Sequence, residues 1–306
     1  MSDELAEAGF EDSAALGAPD TVAQSEWVVM KFGGSSVATA ERWKTIAQLV
    51  QRRIDEGLRP VIVHSALAGV SNALDSLLDE AIANDPAERL QQIRTQHYDL
   101  ATALGIDGPK LLEDSLQQLE QLVAGVRLVR EVSVRVRVRI MALGELMATR
   151  MGAAYLQQSG LPVAWVDARD LLRSQQRNNR NPANAYLSAT CSYEHDPTLR
   201  SRLGKLDTVI VTQGFIARNR NGETVLLGRG GSDTSAAYLA ARLQARAPRG
   251  GVAVAHSVFK ATKERFEFVD LGRQRLKGYA TRQQVWQVRR RARGSAADAG
   301  ALPRLG

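Results

Sequence analysis

This sequence of 306 residues has little cysteine and no long apolar run, and each shortage limits what the protein can be. Cys191 is the single cysteine, so no disulfide can form within the chain and we expect a reducing compartment. No apolar run approaches the about 20 residues of a membrane span. The acidic N-terminus also lacks the basic segment that opens a secretory signal. We therefore expect a cytoplasmic protein that does not contact a membrane.

The charge is unbalanced near each end of the chain. Residues 1–26 contain seven acids and no Lys or Arg, whereas residues 246–306 contain fourteen Lys or Arg and four acids. The basic excess lacks an aromatic stacking series or a recognition-helix pattern, so we expect no nucleic-acid binding. Residues 1–25 have no periodic apolar face and are predicted to be a disordered leader. We also predict that the basic segment 289–306 is disordered.

A glycine turn with a lysine beside it ends the first apolar strand, Val28 to Phe32. Gly33 and Gly34 permit a close approach of the backbone to a ligand, and Lys31 adds a positive charge. Ser35 and Ser36 are good N-cap residues for the helical pattern that follows. A strand, a glycine turn and a helix N-terminus together suit a phosphate. The spacing is neither that of a Walker A loop nor G-x-G-x-x-G, so taken alone the stretch could equally be a plain turn.

A second stretch repeats this layout after the strand that ends at Leu227. It reads Gly228-Arg229-Gly230-Gly231-Ser232-Asp233 and leads into a helix that is predicted to end at Ala245. The guanidinium of Arg229 can grip a carboxylate or a phosphate through two parallel hydrogen bonds. The repetition favours a ligand site over two unrelated turns.

Between the two glycine turns, strand and helix patterns alternate. This alternation predicts an α/β fold: a mostly parallel sheet with helices on both faces. Residues 132–140 alternate Val or Ile with Arg or Ser, which by period alone indicates a strand. A helix is predicted from Leu146 to Gln158, with Glu145 at its start, where the helix dipole favours a carboxylate. Asn221-Gly222 is a strong hairpin signal. Cys191 and His195 lack the partner spacing of a metal site, and we expect no protein metal site.

Five blocks in this order resemble the amino-acid kinase family and, within it, the aspartate kinases. They cover roughly residues 27–245, and the nearest likeness is to the kinase part of fused aspartate kinase–diaminopimelate decarboxylase chains. The blocks are Lys31-Phe32-Gly33-Gly34-Ser35-Ser36, Ser65-Ala66-Leu67-Ala68-Gly69-Val70, Leu143-Gly144-Glu145, Gln213-Gly214-Phe215-Ile216 and Gly228-Arg229-Gly230-Gly231-Ser232-Asp233. The resemblance implies the amino-acid kinase-like fold, in which a mostly parallel sheet is sandwiched by helices, here incomplete at the C-terminal side. It also makes residues 132–140 a helix that leads into a Leu-Gly-Glu turn.

The resemblance implies transfer of the ATP γ-phosphoryl group to the β-carboxylate of L-aspartate. This is the first step of lysine, threonine and methionine biosynthesis. It implies Mg²⁺ across the phosphates and allows a homo-oligomer. A glutamate or uridylate kinase is disfavoured by the Leu-Gly-Glu and Arg-Gly-Gly-Ser-Asp blocks. The implied site residues are Lys31 and Asp233 in catalysis, Ser65, Glu145, Arg229 and Ser232 on the substrate, and Gly33, Gly34, Ser35, Gly230 and Gly231 on the phosphates.

The resemblance to aspartate kinase stops near residue 245. The family continues with a Trp-Thr-Asp-Val strand, an Asp-Pro-Arg loop and a further lysine, which serve the nucleotide, and none of these occurs here. Residues 250–288 instead resemble the closing segment of a class III nucleotide cyclase, with a strand, a short helix and two edge strands. The cyclase's metal-binding aspartates are absent, so we infer no cyclase activity.

The predicted organisation is therefore a leader over 1–25, a partial kinase-like domain over 26–245, a cyclase-like segment over 246–288 and a basic tail. We expect low or no kinase activity from such a chain. The alternative function is that of a catalytically impaired remnant that binds an amino acid or partner chains.

Overall fold

The computed structural model describes most of the chain between Glu26 and Arg289. The predicted leader, the basic segment after Arg289 and the site candidate Arg229 lie outside the described residues. The described residues are 26–83, 85–175, 182–228, 230–243, 252–255, 267–274 and 283–289.

Four parallel strands form the central sheet and confirm the predicted α/β class. Their order in the sheet is β1-β2-β4-β3. In the register of the sheet, Phe32 pairs with His64, and His64 pairs with Gln213. The carboxyl ends of these three strands therefore lie together at one edge of the sheet. The strands are Trp27–Phe32 (β1), Arg59–His64 (β2), Val163–Trp165 (β3) and Val209–Gln213 (β4).

Helices cover both faces of the sheet, because buried side chains of a strand alternate between the two faces. In β2, Ile62 joins one hydrophobic cluster, while Val61 and Val63 join the other. The first five helices pack on the Ile62 side, and α6, α8 and α9 pack on the opposite side. The helices are Ala40–Asp55 (α1), Val70–Ala83 (α2), Ala87–Leu104 (α3), Gly108–Val129 (α4), Val134–Gln158 (α5), Ala168–Leu171 (α6), Pro182–Leu187 (α7), Pro197–Gly204 (α8) and Gly231–Leu243 (α9).

Helix α5 confirms the helical interpretation of residues 132–140 but corrects the predicted turn at Leu-Gly-Glu. The helix runs without a break from Val134 to Gln158, so Glu145 lies in its middle and not in a first turn. Ser133 caps the helix by accepting a hydrogen bond from the Val136 N–H at 3.3 Å. Residues 142–149 are buried on every side of the helix, which explains why the local pattern is not amphipathic there.

The predicted N-cap role of Ser35 and Ser36 is wrong. Both residues lie inside a short 3-10 turn, Gly34–Val37, and Thr39 caps α1 by accepting from the Arg42 N–H at 3.4 Å. The extra turn buries Val37, whose carbonyl accepts from the Trp43 indole N–H at 3.0 Å. Because the 3-10 turn lies between β1 and α1, the helix begins only at Ala40, after Val37 is buried.

Two antiparallel sheets complete the described residues. Ile216–Arg218 (β5) and Thr224–Leu226 (β6) form the hairpin predicted from Asn221-Gly222. Val252–Ala255 (β7), Glu267–Gln274 (β8) and Gln283–Arg289 (β9) form a sheet in the order β7-β9-β8. β9 therefore lies between its two neighbours and is not the predicted edge strand. Arg289 belongs to β9, and the predicted short helix lies outside the described residues.

None of the helices in the described part of the chain has the length and apolar character that crossing a membrane requires.

Candidate functional site

Three loops that follow parallel strands meet at one edge of the sheet. The first glycine turn follows β1, residues 65–69 follow β2, and Gly214 follows β4. The Ser65 N–H donates to the Phe32 carbonyl at 3.2 Å, and the Gly214 N–H donates to the His64 carbonyl at 3.0 Å. Ligands of open α/β sheets bind outside this edge, at the carboxyl ends of the strands.

An ion pair joins the two glycine turns that the sequence singles out. Lys31 Nζ lies 3.0 Å from Asp233 Oδ1, and each side chain is 24% exposed. Lys31 comes from β1, whereas Asp233 lies in the first turn of α9, where the helix dipole favours a carboxylate. The predicted catalytic residues are therefore in contact, and both can still reach a ligand from solvent.

The two serines predicted to bind substrate also contact each other. The Ser65 hydroxyl donates to the Ser232 hydroxyl at 2.9 Å. Gly214 makes this approach possible, because a Cβ at that position would overlap Ser232. The Phe215 N–H donates to the Ser235 hydroxyl at 3.0 Å and thereby fixes the start of α9 beside the sheet edge.

Glu145 is a buried carboxylate with one oxygen to spare. Its side chain comes from the middle of α5, and the residue is 2% exposed. A backbone N–H of Ala66 donates to the carboxylate, while Oε2 has no partner among the described residues. Burial raises the pKa of Glu145 to about 8, although the Ala66 hydrogen bond and the charge of Lys31 oppose that rise. A cationic group of a ligand would satisfy the spare oxygen and stabilise the ionised form.

The glycines of the two turns differ in how closely they are packed. A Cβ on Gly34 would lie 2.7 Å from the Ala66 carbonyl oxygen, whereas a Cβ on Gly33 would meet only Lys31 Nζ, at 3.7 Å. Gly230 has a φ of 68°, which favours glycine, and a Cβ on Gly231 would collide with Phe215. Ser35 is exposed, and its carbonyl oxygen accepts a hydrogen bond from the Arg42 guanidinium.

A buried hydrogen-bond network below the site escaped the sequence analysis. Thr149 Oγ1 accepts from the Gln213 amide at 2.8 Å and from the Trp165 indole at 3.0 Å. It donates to the Glu145 carbonyl at 2.9 Å, and Gln213 accepts from the Ala168 N–H at 2.7 Å. Thr149 thus links the Glu145 turn of α5 to the end of β4. Gln213 stood in a motif block, but nothing in the sequence marked Thr149.

His64 is a second residue that the sequence analysis missed. It is fully buried at the end of β2, and burial lowers its pKa to about 4, so the ring is neutral near pH 7. Nδ1 lies 3.0 Å from the Ser65 carbonyl oxygen and therefore carries the proton that it donates. The ring packs edge-on against Trp43, with the centroids 5.3 Å apart. His64 holds the backbone of Ser65 in place.

Together these contacts define an α/β domain with a polar candidate site at the carboxyl edge of a parallel sheet. Its described groups are a lysine, two serines, a partly exposed carboxylate and a buried one. They suit a small molecule that carries both an ammonium and anionic groups.

The sequence pattern of the amino acid kinase family matches residues 26–247, and the chain belongs to this family.

Relatives within this family include several aspartokinases. The chain is 33% identical over 226 residues to aspartokinase 3, chloroplastic, of Arabidopsis thaliana, and the match covers 71% of this chain and 39% of the relative. It is 31% identical over 227 residues to the lysine-sensitive aspartokinase 3 of Escherichia coli K12, covering 72% and 47%. The chain thus spans less than half the length of these relatives.

A solved structure has the same fold. The structure of E. coli aspartokinase III in complex with aspartate and ADP, in the R-state, superposes with a TM-score of 0.57 at 28% identity. The match covers 70% of this chain and 46% of that one. A second structure of the same enzyme, in complex with lysine and aspartate in the T-state, also has a TM-score of 0.57, at 29% identity.

Proposed function

We propose that this chain is an aspartate kinase, which transfers the ATP γ-phosphoryl group to the β-carboxylate of L-aspartate. The observation that carries the proposal is the buried Glu145 carboxylate, whose spare oxygen lies in the field of Lys31 at the edge of the sheet. The aspartokinase relatives support the same substrate, since one solved relative was captured with aspartate and ADP.

The amino-acid end of the substrate would lie against α5 and α9. Glu145 would pair with the α-ammonium through its spare oxygen, and Arg229 would hold the α-carboxylate in a two-bond grip. The hydroxyls of Ser65 and Ser232 are hydrogen-bonded to each other in the free protein. Each would form a hydrogen bond with the bound substrate. This arrangement distinguishes an amino acid from a simple dicarboxylate, because only the amino acid supplies the ammonium.

The transferring phosphate would lie between the two glycine turns. Lys31 would leave Asp233 to stabilise the negative charge that spreads over the phosphoryl oxygens, and Asp233 would orient groups near the reacting carboxylate. The glycine turns would add backbone N–H groups at Gly33, Gly34, Ser35, Gly230 and Gly231. The β-carboxylate of aspartate is already ionised at pH 7, so its attack requires no general base.

Mg²⁺ fits this site as an ion that enters bound to the phosphates of the nucleotide, and not as an ion held by protein ligands alone. In the part of the chain that the structure describes, no group of three or more His, Cys, Asp or Glu side chains could hold a metal ion. Mg²⁺ commonly binds substrate phosphates, water and one or two carboxylates, and Asp233 is the carboxylate beside Lys31. The ion would neutralise phosphate charge during transfer.

Binding selectivity tests the proposed substrate. Calorimetry with the purified chain is expected to show saturable binding of L-aspartate, with weaker binding of L-glutamate and of the nucleotide UMP. Tighter binding of glutamate or UMP would replace the proposed substrate with that of a sibling kinase.

Activity is tested by coupling ADP formation to a spectroscopic readout with Mg-ATP and L-aspartate. We expect aspartate-dependent ADP formation that is slow beside the usual enzyme median of about 10 s⁻¹. The slow rate is expected because no segment after Ala245 matches the blocks that serve the nucleotide. ADP formation that is indifferent to aspartate would contradict the proposal.

A further inference from the structure

A second cavity, of about 300 Å³, opens between α6, α8, β5 and the last turn of α9. It shares no residue with the candidate site. Leu171, Leu172 and Leu199 line it and are buried, so part of its wall is apolar. Five arginines also line this cavity: Arg169, Arg173, Arg202, Arg218 and Arg242.

Three of the five arginines are neutralised by carboxylates. Arg169 pairs with Asp167 at 2.6 Å, Arg218 lies 3.4 Å from Asp170, and Arg242 pairs with Asp196. The pairing of Arg242 is incomplete, because its Nε is buried and has no hydrogen-bond partner among the described residues.

The other two arginines carry charge that no described carboxylate balances. Arg202 donates to the Asp170 carbonyl oxygen at 2.8 Å, which accepts a hydrogen bond but carries no full charge. Arg173 forms a backbone bridge with Arg218, and no ion pair among the described residues includes its side chain. The cavity therefore presents two surplus positive charges.

We propose that this arginine-lined cavity binds a small oxyanion with two negative charges, of the phosphate class. Guanidinium groups match the tetrahedral oxygens of a phosphate through paired N–H donors. Two surplus charges balance a dianion, and the buried leucines form an apolar wall on one side of the cavity. Arg173 and Arg202 are exposed to solvent, and the concave shape distinguishes them from arginines spread over a convex surface because it brings five guanidinium groups around one volume.

Phosphate binding to two matched double variants tests this site. Inorganic phosphate at pH 8 is titrated calorimetrically into the full chain at constant ionic strength, with sodium chloride as the balancing salt. The pocket variant Arg173→Gln/Arg202→Gln is expected to bind phosphate at least about tenfold more weakly than the parent. The control Arg52→Gln/Arg139→Gln removes two exposed arginines of α1 and α5 and is expected to bind like the parent.

A third variant separates this cavity from the proposed kinase site, which would also hold a phosphate. Lys31→Ala is expected to keep the phosphate binding that the pocket variant loses. The proposal is overturned if the parent shows no saturable phosphate binding or if both double variants weaken it equally. Loss of binding in Lys31→Ala with retention in the pocket variant would also overturn it, since the anion would then lie in the candidate site.

Discussion

The two glycine turns share a layout in the sequence, yet they begin their helices in different ways. After the first turn, a 3-10 segment intervenes and Thr39 caps α1. After the second turn, α9 starts directly at Gly231, so Ser232 and Asp233 lie in its first turn. The first turn therefore packs against Ala66 directly after the strand that carries Lys31, whereas the second turn presents side chains from a helix N-terminus.

This difference suggests a division of labour within one site. The Lys31–Asp233 ion pair joins the turns directly, and the Ser65–Ser232 hydrogen bond joins the second turn to the loop after β2. We expect damage to the first turn to affect phosphoryl transfer and damage to the second to affect aspartate binding. Substitutions in each turn can break or sharpen this contrast.

The largest effect is expected from Lys31→Ala, at the end of β1 beside the first turn. Removing a group that stabilises developing charge typically lowers a rate by about 10²–10³. Aspartate affinity should stay largely intact, because Lys31 acts on the phosphate and is only the smallest of the three influences on the pKa of Glu145. The coupled ADP assay and calorimetry measure the two effects separately, with Lys44→Ala on the exposed surface of α1 as the control. Equal turnover in Lys31→Ala and the parent would remove Lys31 from the site.

Arg229 in the second turn should show the opposite profile. Arg229→Ala is expected to weaken aspartate binding by about 1.5–3 kcal/mol, the usual cost of a lost hydrogen bond to a charged group. Arg229→Lys should not restore the affinity, since an ammonium cannot make the two parallel bonds of a guanidinium. Calorimetric titration with L-aspartate measures both variants. An unchanged dissociation constant in Arg229→Ala would contradict this role.

A smaller effect separates the two glycines of the first turn. Gly34→Ala is expected to lower the free energy of unfolding by about 1–3 kcal/mol, because the new methyl group would press on the Ala66 carbonyl oxygen. Gly33→Ala is the matched control, since that position has extended backbone angles and its nearest atom is the flexible end of Lys31. Urea unfolding of both variants provides the comparison. Equal stabilities would show that the first turn is not packed as tightly as described.

Sequence reasoning predicted the features that local pattern encodes. The parallel sheet and the Asn221-Gly222 hairpin follow from strand periods and turn residues, whereas the resemblance to aspartate kinases implied that Lys31 and the second turn share one site. It failed where the outcome depends on distant partners. The buried middle of α5 places Glu145 beside Ala66 in the loop after β2. No local rule reveals that Thr149 of α5 forms a hydrogen bond with Gln213 at the end of β4.

The arginine-lined cavity shows the same limit. Arg169 and Arg173 are close in sequence, but Arg202 of α8 and Arg242 of α9 are distant from them in sequence and reach the cavity only in the folded chain. Charge counting along the sequence places the basic excess after residue 246 and does not reveal this cluster, because it forms only when the four segments pack together.

The pH dependence of aspartate binding tests most directly the central claim that Glu145 receives the substrate ammonium. The pKa of Glu145 in the free protein is raised to about 8, so near pH 7 the carboxyl is mostly protonated and must lose its proton to pair with the ammonium. Raising the pH from 7 to 8 lowers that cost, because about half of the Glu145 carboxyl groups are then ionised, and affinity should rise by less than about tenfold.

Calorimetry at pH 7 in buffers of different ionisation enthalpy measures the same event as a proton count. We expect release of up to one proton when L-aspartate binds the parent protein. We expect no proton release in Glu145→Gln, which should also bind aspartate more weakly because it offers no negative charge to the ammonium. Tight aspartate binding to Glu145→Gln, or binding to the parent without proton release, would contradict the proposed role of Glu145.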